Sequence, residues 1–486
     1  MTSAKTLGRW DKKYLWHPFT QQAEWNKEEP TIVQSARGVR LKDQHGREYI
    51  DGVSSLWVTV HGHREPALDR ALRRQLDRVA HSTFLGLTHE PAIRLGKALA
   101  AIAPTGLSRV FYSDNGATAV EVALKMAFQY RAHTEGPSSH RREYLALSHS
   151  YHGDTLGAVS VGGIAHFQKV FRPLLFRARF APSPHCDRCP FRKKPSAPRL
   201  RTGDEPVRGP APRPGAARAE TGCRWECLAG AEKILKERRS RLVAAIVEPL
   251  VQAAVGMWIM PPGYLRGFAR LCRKYQVPLI ADEVATGFGR TGTMFAVQQE
   301  GVVPDFLCVA KSLTGGYLPL AATLTSDKIF RAFLGRYDEF KSFFHGHTYT
   351  ANPLACAVAL ENLRLLQKKN WPRGLAPLRR DLSLFLKETA NHPRVGHVRQ
   401  MGLMAGIELV ADRKTGRRFP PGDRMGARVC RAARERGLWI RPLGDTLVIL
   451  PPLGIGRVDL GRMTRAVRES LDAVLGGGAG PGSDFC

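Results

Sequence analysis

The stretch PLIADEVATGFGRTG (residues 278–292) decides the fold of this chain, because a short apolar run ends directly in two carboxylates, Asp282 and Glu283. A charge at the end of a buried strand costs several kcal/mol unless another group pairs with it. The same stretch contains GFGRTG, which matches the dinucleotide-binding pattern G-x-G-x-x-G. The chain is therefore either a nicotinamide enzyme or a protein in which Asp282 binds the positive group of a different ligand.

Similar short apolar runs recur from about residue 90 onwards and are separated by helical stretches. The runs are RVFYS (109–113), EYLALS (143–148), VAAIVEP (243–249), VPLIAD (277–282), DFLCVA (305–310) and LAATLTS (320–326). Such alternation predicts an α/β fold with a mostly parallel sheet covered by helices on both faces. Ligands bind sheets of this kind at the carboxyl ends of the strands.

The chain of 486 residues is too long for one simple core, so we expect two domains. We predict a large ligand-binding domain over 76–345 and a smaller α+β domain formed by an N-terminal segment, 1–75, and a C-terminal segment, 346–476. Residues 477–486 are predicted to be a tail. A Pro-, Gly-, Ala- and Arg-rich stretch, about 183–225, is predicted to be a flexible insert in the large domain.

The composition is strongly basic, with 73 Lys and Arg against 43 Asp and Glu and a net charge of +30. Such a balance admits a nucleic-acid-binding protein, which is the alternative from a different functional class. The arginines are spread along the chain without a nucleic-acid motif, so we expect no nucleic-acid partner. No apolar run reaches the roughly 18 residues of a membrane helix, and the N-terminus has no apolar signal segment. We therefore expect a cytoplasmic protein without a membrane partner.

Four cysteines flank the predicted insert in the motifs CDRC and CRWEC. They are Cys186, Cys189, Cys223 and Cys227. Their spacing suits a zinc site of four thiolates. The long and loosely composed loop between the pairs favours reduced thiols beside a cytosolic loop instead. We expect no metal and keep zinc as the alternative.

Residues that can carry chemistry follow several of the apolar runs. After RVFYS, helical spacing begins near 115–118, and the amides of a helix N-terminus bind phosphate. After EYLALS comes Tyr151, an aromatic ring that can stack on a planar ligand, followed by His152 and Asp154. After DFLCVA comes Lys311, and a lysine there is costly to bury unless it is paired or covalently modified.

Together these features are what pyridoxal 5′-phosphate (PLP) requires: a phosphate site, a stacking ring, a carboxylate for the pyridine nitrogen and a lysine for the aldehyde. The partner of Asp282 would then be the ring N–H rather than a side chain. GFGRTG fits a dinucleotide site poorly, because five residues intervene after Ala281 and the following TMFAVQQEG is too short and polar for the required helix. A nicotinamide site would also leave Lys311 unexplained.

The strings ADEVATGFGRTG, KSLTGGYLPLAATL and FFHGHTYTANPLACAVALENL resemble the class III, fold-type I aminotransferases. The motifs WHPFT, SSLW and YHGDT are similar to those of the diaminopelargonic acid synthases of biotin biosynthesis, a branch of that class. The resemblance runs from 16–21 to 441–453 and leaves out mainly the insert and the tail. It implies PLP-dependent transamination of 8-amino-7-oxononanoate to 7,8-diaminononanoate by a homodimer with shared active sites.

The resemblance also implies roles for individual residues. Lys311, Asp282 and Tyr151 would be catalytic, with Lys311 bound to the cofactor and Asp282 at the pyridine nitrogen. The other cofactor-binding residues would be Gly116, Ala117, Val284, His347 and Thr348, of which Thr348 would reach the phosphate of the neighbouring subunit. The substrate-binding residues would be Phe19, Leu56, Trp57, Asp154, Gly346 and Arg441. Glu248 fits a structural role as well as a functional one.

Three positions depart from the best-known members, which have Tyr, Trp and Pro where this chain has Phe19, Leu56 and His347. These positions line the substrate site of the family, so they leave the amino donor open. S-adenosylmethionine is the family default, and the Phe/Leu/His combination resembles the bacillus-type branch, in which lysine replaces it. A second alternative is an ω-amino-acid transaminase that uses 2-oxoglutarate. It would need a further carboxylate-binding arginine, for which Arg290 and Arg399 are the candidates.

Overall fold

The structure is a computed structural model and describes residues 2–136, 139–191, 199–203, 211–214, 223–368 and 374–476. Its strands are β1 Val33–Arg37, β2 Arg40–Asp43, β3 Glu48–Asp51, β4 Arg109–Ser113, β5 Glu143–Leu147, β6 Ala178–Ala181, β7 Arg199–Arg201, β8 Leu242–Val247, β9 Val251–Gln252, β10 Trp258–Ile259, β11 Leu279–Asp282, β12 Phe306–Val309, β13 Ala321–Thr325, β14 Val395–Met401, β15 Met404–Leu409, β16 Leu438–Trp439, β17 Arg441–Leu443 and β18 Thr446–Ile449.

The α-helices of the described residues are Ala4–Tyr14, Gln22–Trp25, Ser54–Trp57, Pro66–Leu76, Glu90–Ile102, Gly116–Glu135, Leu156–Val161, Ala165–Gln168, Glu226–Arg238, Tyr264–Lys274, Asp327–Arg331, Pro353–Lys368, Ala376–Thr389, Met425–Glu435 and Arg457–Leu475. Short 3₁₀ helices lie at Arg172–Leu174, Ala296–Glu300, Lys311–Thr314, Tyr337–Glu339 and Pro421–Asp423. None of the helices in the described ranges is both long and apolar enough to span a bilayer.

The largest sheet has the strand order β4-β13-β12-β11-β8-β5-β6. The strands from β12 to β6 pair in parallel, and β13 runs antiparallel to both β12 and β4. The chain therefore has the mixed α/β fold with a large, mostly parallel sheet that the alternating pattern predicts.

Helices cover both faces of this sheet. Its central strands therefore carry apolar residues at successive positions. Every residue of β8 is buried. Ala244 lies in the apolar cluster of the helix Gly116–Glu135, whereas its neighbour Ala245 lies in the cluster of the helix Tyr264–Lys274. Since side chains alternate between the two faces of a strand, both helix layers need apolar partners from the same run.

Two smaller sheets involve the terminal parts of the chain. One has the order β1-β2-β3-β16, in which Ile50 of β3 lies opposite Leu438 of β16 in a parallel pair. The other has the order β17-β18-β15-β14-β7. N-terminal strands are thus joined to a C-terminal strand, while the exact domain boundaries remain a prediction.

The predicted insert is described only in part. Its strand β7 pairs in parallel with β14, Arg199 lying opposite Arg399, so this piece extends the edge of a C-terminal sheet. About half of the predicted flexible insert, and all of the predicted tail 477–486, lie outside the described ranges.

Candidate active site

A cavity of about 740 Å³ lies at the carboxyl ends of β4, β5, β8, β11 and β12. Strands that run in the same direction bring the residues that follow them to one edge of the sheet. The predicted site residues that line this cavity are Leu56, Trp57, Gly116, Ala117, Tyr151, Asp154, Asp282, Val284 and Lys311. His152 and Glu248 line it as well.

Lys311 follows β12 and begins a 3₁₀ helix with a backbone φ of 30°. A positive φ is strained for a residue other than glycine, and such strain concentrates at functional sites. Burial lowers the pKa of Lys311, and the carboxylates of Asp282, Glu248 and Asp154 oppose that shift. A lysine with a lowered pKa offers a neutral amine more readily, which is what a nucleophile or base needs.

Asp282 is buried at the end of β11, and both of its oxygens accept a hydrogen bond. Oδ1 accepts from the Val284 amide at 3.0 Å, and Oδ2 lies 2.8 Å from Nδ1 of His152. The sequence predicts a ligand N–H rather than a side chain as the partner of Asp282. The structure adds a side-chain partner, His152, to which sequence reasoning assigned no role.

The adjacent carboxylate, Glu283, has a different environment. Its oxygens accept hydrogen bonds from the Thr286 hydroxyl at 2.6 Å and from the Val297 amide at 2.8 Å. Burial raises the pKa of Glu283 to about 7. Glu283 therefore ties the loop after β11 to the segment near Val297 and does not line the cavity.

Tyr151 is held by two hydrogen bonds at opposite ends. Its hydroxyl donates to Oδ2 of Asp154 at 2.7 Å, and its amide donates to Oε2 of Glu248 at 3.0 Å. Its ring meets the edge of Phe167 at a centroid distance of 6.0 Å, and Phe167 contacts Phe19 at 5.7 Å. Phe167 therefore extends an aromatic wall from the cavity toward Phe19. No motif around Phe167 signals this contact in the sequence.

The helix Gly116–Glu135 begins at the cavity with a capping box. The Asn115 side chain accepts from the Thr118 amide at 3.0 Å, and the Thr118 hydroxyl accepts from the Asn115 amide at 3.2 Å. This cap fixes the first turn of the helix, whose positive dipole end and free amides favour a phosphate. The predicted phosphate-binding residues, Gly116 and Ala117, occupy that turn.

The family model described as aminotransferase class III matches residues 21–471 of the chain. The chain belongs to the class III aminotransferases. The class III likeness extends over nearly the whole chain, so it includes every residue that lines the cavity.

Several class III relatives are similar over most of their length. The adenosylmethionine-8-amino-7-oxononanoate aminotransferase of Nitratidesulfovibrio vulgaris is 48% identical over 97% of this chain and 82% of its own. The crystal structure of the Methanocaldococcus jannaschii protein of the same name has a TM-score of 0.87 at 37% identity, over 97% of this chain and 99% of the other. An amine transaminase from an uncultivated Pseudomonas species, solved in its PLP-bound form, has a TM-score of 0.83 at 30% identity, over 95% and 99%.

PLP is the cofactor of this class III aminotransferase, and the residues around the cavity fit it. A Cβ at Gly116 would lie only 2.5 Å from Cγ1 of Val284. Glycine therefore allows Val284 to approach the helix N-terminus, where a phosphate would be bound. Lys311 provides the amine that an aldehyde requires, and Asp282 provides the carboxylate that a pyridine nitrogen requires.

Some predicted site residues of this class III chain lie away from the cavity. Gly346 and Thr348 are exposed in a segment near Asp114, whose Oδ1 lies 4.0 Å from Nε2 of His347. Arg441 is exposed on β17. Phe19 is 68% exposed. Their predicted roles therefore stay predictions, and the single chain by itself brings none of them to the cavity wall.

The two candidate arginines for a second carboxylate site are both engaged elsewhere. Buried Arg290 donates to the carbonyl oxygens of Pro451 at 2.6 Å and Thr59 at 2.8 Å. Buried Arg399 donates from Nε to Asp187 at 2.9 Å and also pairs with Glu408. Neither arginine lines the cavity. The two arginines therefore do not support the alternative of a 2-oxoglutarate-dependent transaminase.

The four clustered cysteines are described as free thiols. Burial raises the pKa of Cys227, and nearby Cys186, Cys223 and Cys189 raise it further, so the four thiols share one neighbourhood. Within the described ranges, no group of three or more His, Cys, Asp or Glu side chains is placed to hold a metal ion. Reduced thiols and a zinc site both stay predictions.

Proposed function

We propose that this class III aminotransferase converts 8-amino-7-oxononanoate to 7,8-diaminononanoate in biotin biosynthesis, with S-adenosylmethionine as the default amino donor. The observation that carries the proposal is the 48% identity over 97% of the chain to a relative named for that substrate pair. The cavity supports it with the Lys311 and Asp282 side chains that transamination requires.

When bound, PLP supplies an aldehyde that takes up the donor's amino group and a ring that withdraws electrons from the reacting carbon. The Lys311 amine would move a proton at that carbon, as its lowered pKa favours. Asp282 would hold the pyridine N–H, and the first turn of the helix Gly116–Glu135 would bind the phosphate. Tyr151 and Val284, which also line the cavity, would confine the cofactor ring.

The segment Ser54–Trp57 forms one wall of the cavity through its last two residues. Ser55 and Trp57 have backbone φ values of 59° and 66°, a strained conformation that directs this turn toward the site. The buried Nε1 of Trp57 has no hydrogen-bond partner in the structure. We infer that this indole N–H donates to a polar group of the substrate, because an unpaired buried donor is costly.

The choice of amino donor depends on two positions, Leu56, which lines the cavity, and Phe19, which lies outside it, and these are 51% and 68% exposed. The adenosine and sulfonium of S-adenosylmethionine favour a flat aromatic wall, through stacking and cation–π contact. Lysine is slimmer and needs less aromatic surface. The alternative proposal is therefore the same reaction with lysine as donor.

A half-reaction with each donor tests this choice. The visible absorbance of bound PLP is followed by stopped flow after mixing with S-adenosylmethionine or lysine, and diaminononanoate is detected by mass in the full reaction. We expect S-adenosylmethionine to decrease the visible absorbance of bound PLP. A response to lysine alone would establish the alternative, and the double variant Phe19→Tyr with Leu56→Trp should then gain activity with S-adenosylmethionine.

We also propose that the active unit is a homodimer with shared sites. Thr348 is exposed here, and the neighbouring Phe344 and Tyr349 are exposed apolar side chains. Exposed large aromatic side chains so close in the chain favour an interface. A second subunit would cover these rings and bring Thr348 to the phosphate bound by its partner.

Mixing two variants, each defective in a different part of the proposed shared site, tests it. The first variant, Lys311→Ala, lacks the lysine of its own site. The second variant, Thr348→Ala, lacks the phosphate contact that it would give to the site of its partner. A mixed dimer then contains one intact site and one doubly defective site, so we expect about half of wild-type activity per dimer. Co-refolded chains that show only the summed activity of the two parents would contradict the shared site.

The remaining proposals are a cytoplasmic location and small-molecule substrates without a nucleic-acid partner. They follow from the biosynthetic reaction proposed above, whose substrates are small metabolites.

A further inference from the structure

Hydrogen bonds link the residues at the ends of three neighbouring strands, β5, β8 and β11. Glu248 follows β8, and its carboxylate accepts two backbone hydrogen bonds, from the Tyr151 amide at 3.0 Å and from the Ala253 amide at 3.1 Å. Burial raises the pKa of Glu248 to about 7. Because β8 lies between β5 and β11 in the sheet, Glu248 fixes the loop after β5 to the centre of the site.

The residue that follows Tyr151 in that loop is His152. Its ring is buried, and Nδ1 lies 2.8 Å from Oδ2 of Asp282 at the end of β11. Nε2 is also buried and has no hydrogen-bond partner in the structure. Since a carboxylate oxygen only accepts, Nδ1 carries the hydrogen, and Nε2 needs none.

A histidine that merely filled the core would not need this arrangement. Asp282 receives one hydrogen bond from the Val284 amide and one from His152, from different elements. Two donors at two oxygens prevent the carboxylate from rotating, so one orientation toward the cavity is selected. The other charged groups that line the cavity are Lys311, Asp114, Asp154 and Glu248.

We propose that His152, held in the loop that Glu248 anchors, is a positioning residue that fixes the Asp282 carboxylate for the pyridine nitrogen of PLP. This inference rests on the cofactor of the class and is independent of the keto acid and the amino donor. Its test therefore succeeds or fails separately from the proposed function.

Two substitutions distinguish the roles of the two ring nitrogens of His152. In His152→Asn the amide nitrogen can occupy the place of Nδ1, whereas in His152→Gln it reaches toward the place of Nε2. The dissociation constant of PLP is measured by titrating the apoprotein. We expect His152→Gln to weaken binding by about tenfold and His152→Asn to stay within about threefold of wild type, as the loss or retention of one charge-assisted hydrogen bond implies.

A double-mutant cycle shows whether His152 acts through Asp282. If it does, His152→Gln adds little to the loss of PLP affinity in an Asp282→Asn background. Independent losses in the cycle, or equal affinities of His152→Asn and His152→Gln, would overturn the proposal.

His185→Leu is the control for general damage. His185 is a buried histidine stacked on Trp258 at 3.5 Å and lies outside the cavity lining. Its replacement is expected to lower the melting temperature while the PLP dissociation constant stays at the wild-type value. If this variant weakened PLP as much as His152→Gln, the effect would be nonspecific and the proposal would fail.

Discussion

Replacing Lys311 by alanine is expected to reduce turnover by about 10⁴-fold or more, because in the proposed role the same amine would bind the cofactor and move the proton. Lys311 is the lysine that lines the cavity, and burial already lowers its pKa. The variant should remain folded, since alanine also removes the cost of holding a cation in a buried position. Turnover and the melting temperature of the apoprotein are the two measurements.

The matched control for this prediction is Lys274→Ala. Lys274 is exposed on the helix Tyr264–Lys274 and pairs with Glu232 at 2.8 Å, so its loss should leave turnover near wild type. Borohydride reduction of the wild-type holoenzyme should attach the cofactor to the peptide that contains Lys311. Recovery of the label on a different lysine would contradict the assignment.

Replacing Asp282 by asparagine is expected to lower turnover by about 10³-fold, comparable to the loss of one preorganised charge-stabilising group in other enzymes. A neutral amide does not stabilise a protonated pyridine nitrogen, so the ring withdraws electrons less strongly. PLP should still load at saturating concentration, because Lys311 and the phosphate site are unchanged. Turnover and visible absorbance are measured on the same sample.

The matched control is Glu283→Gln, which replaces the neighbouring carboxylate by an amide. Its hydrogen bonds to Thr286 and Val297 serve the loop after β11, so the variant should lose thermal stability. Turnover per folded molecule should remain within about threefold of wild type, as an effect confined to stability implies. If both variants lost turnover equally, the special role of Asp282 would be wrong.

Much of the site could be predicted from single positions in the sequence. Asp282, Lys311 and Tyr151 each follow an apolar run, and strands of one direction bring such positions to a common edge. The start of the helix at Gly116 could also be predicted, because an Asn–Gly start and helical spacing are local signals. These predictions needed only the order of strands and turns.

The partners of polar groups could not be predicted in this way. Arg290 and Arg399 were candidates for a substrate carboxylate, but the structure pairs them with distant carbonyl and carboxylate groups. Residues 199–201 were assigned to an insert of the large domain, and they pair with β14 of a C-terminal sheet. Such contacts depend on how segments far apart in the chain are packed.

The sequence by itself determined the α/β alternation and the strand-end positions of Lys311 and Asp282, because both follow from local patterns. Only the tertiary structure decided that Asp282 faces the cavity while Glu283 binds the loop behind it. Successive residues at a strand end point in opposite directions, and the register of the sheet selects which one meets the ligand. The contact of His152 with Asp282 spans 130 positions of the chain, and it exists because β5, β8 and β11 lie side by side.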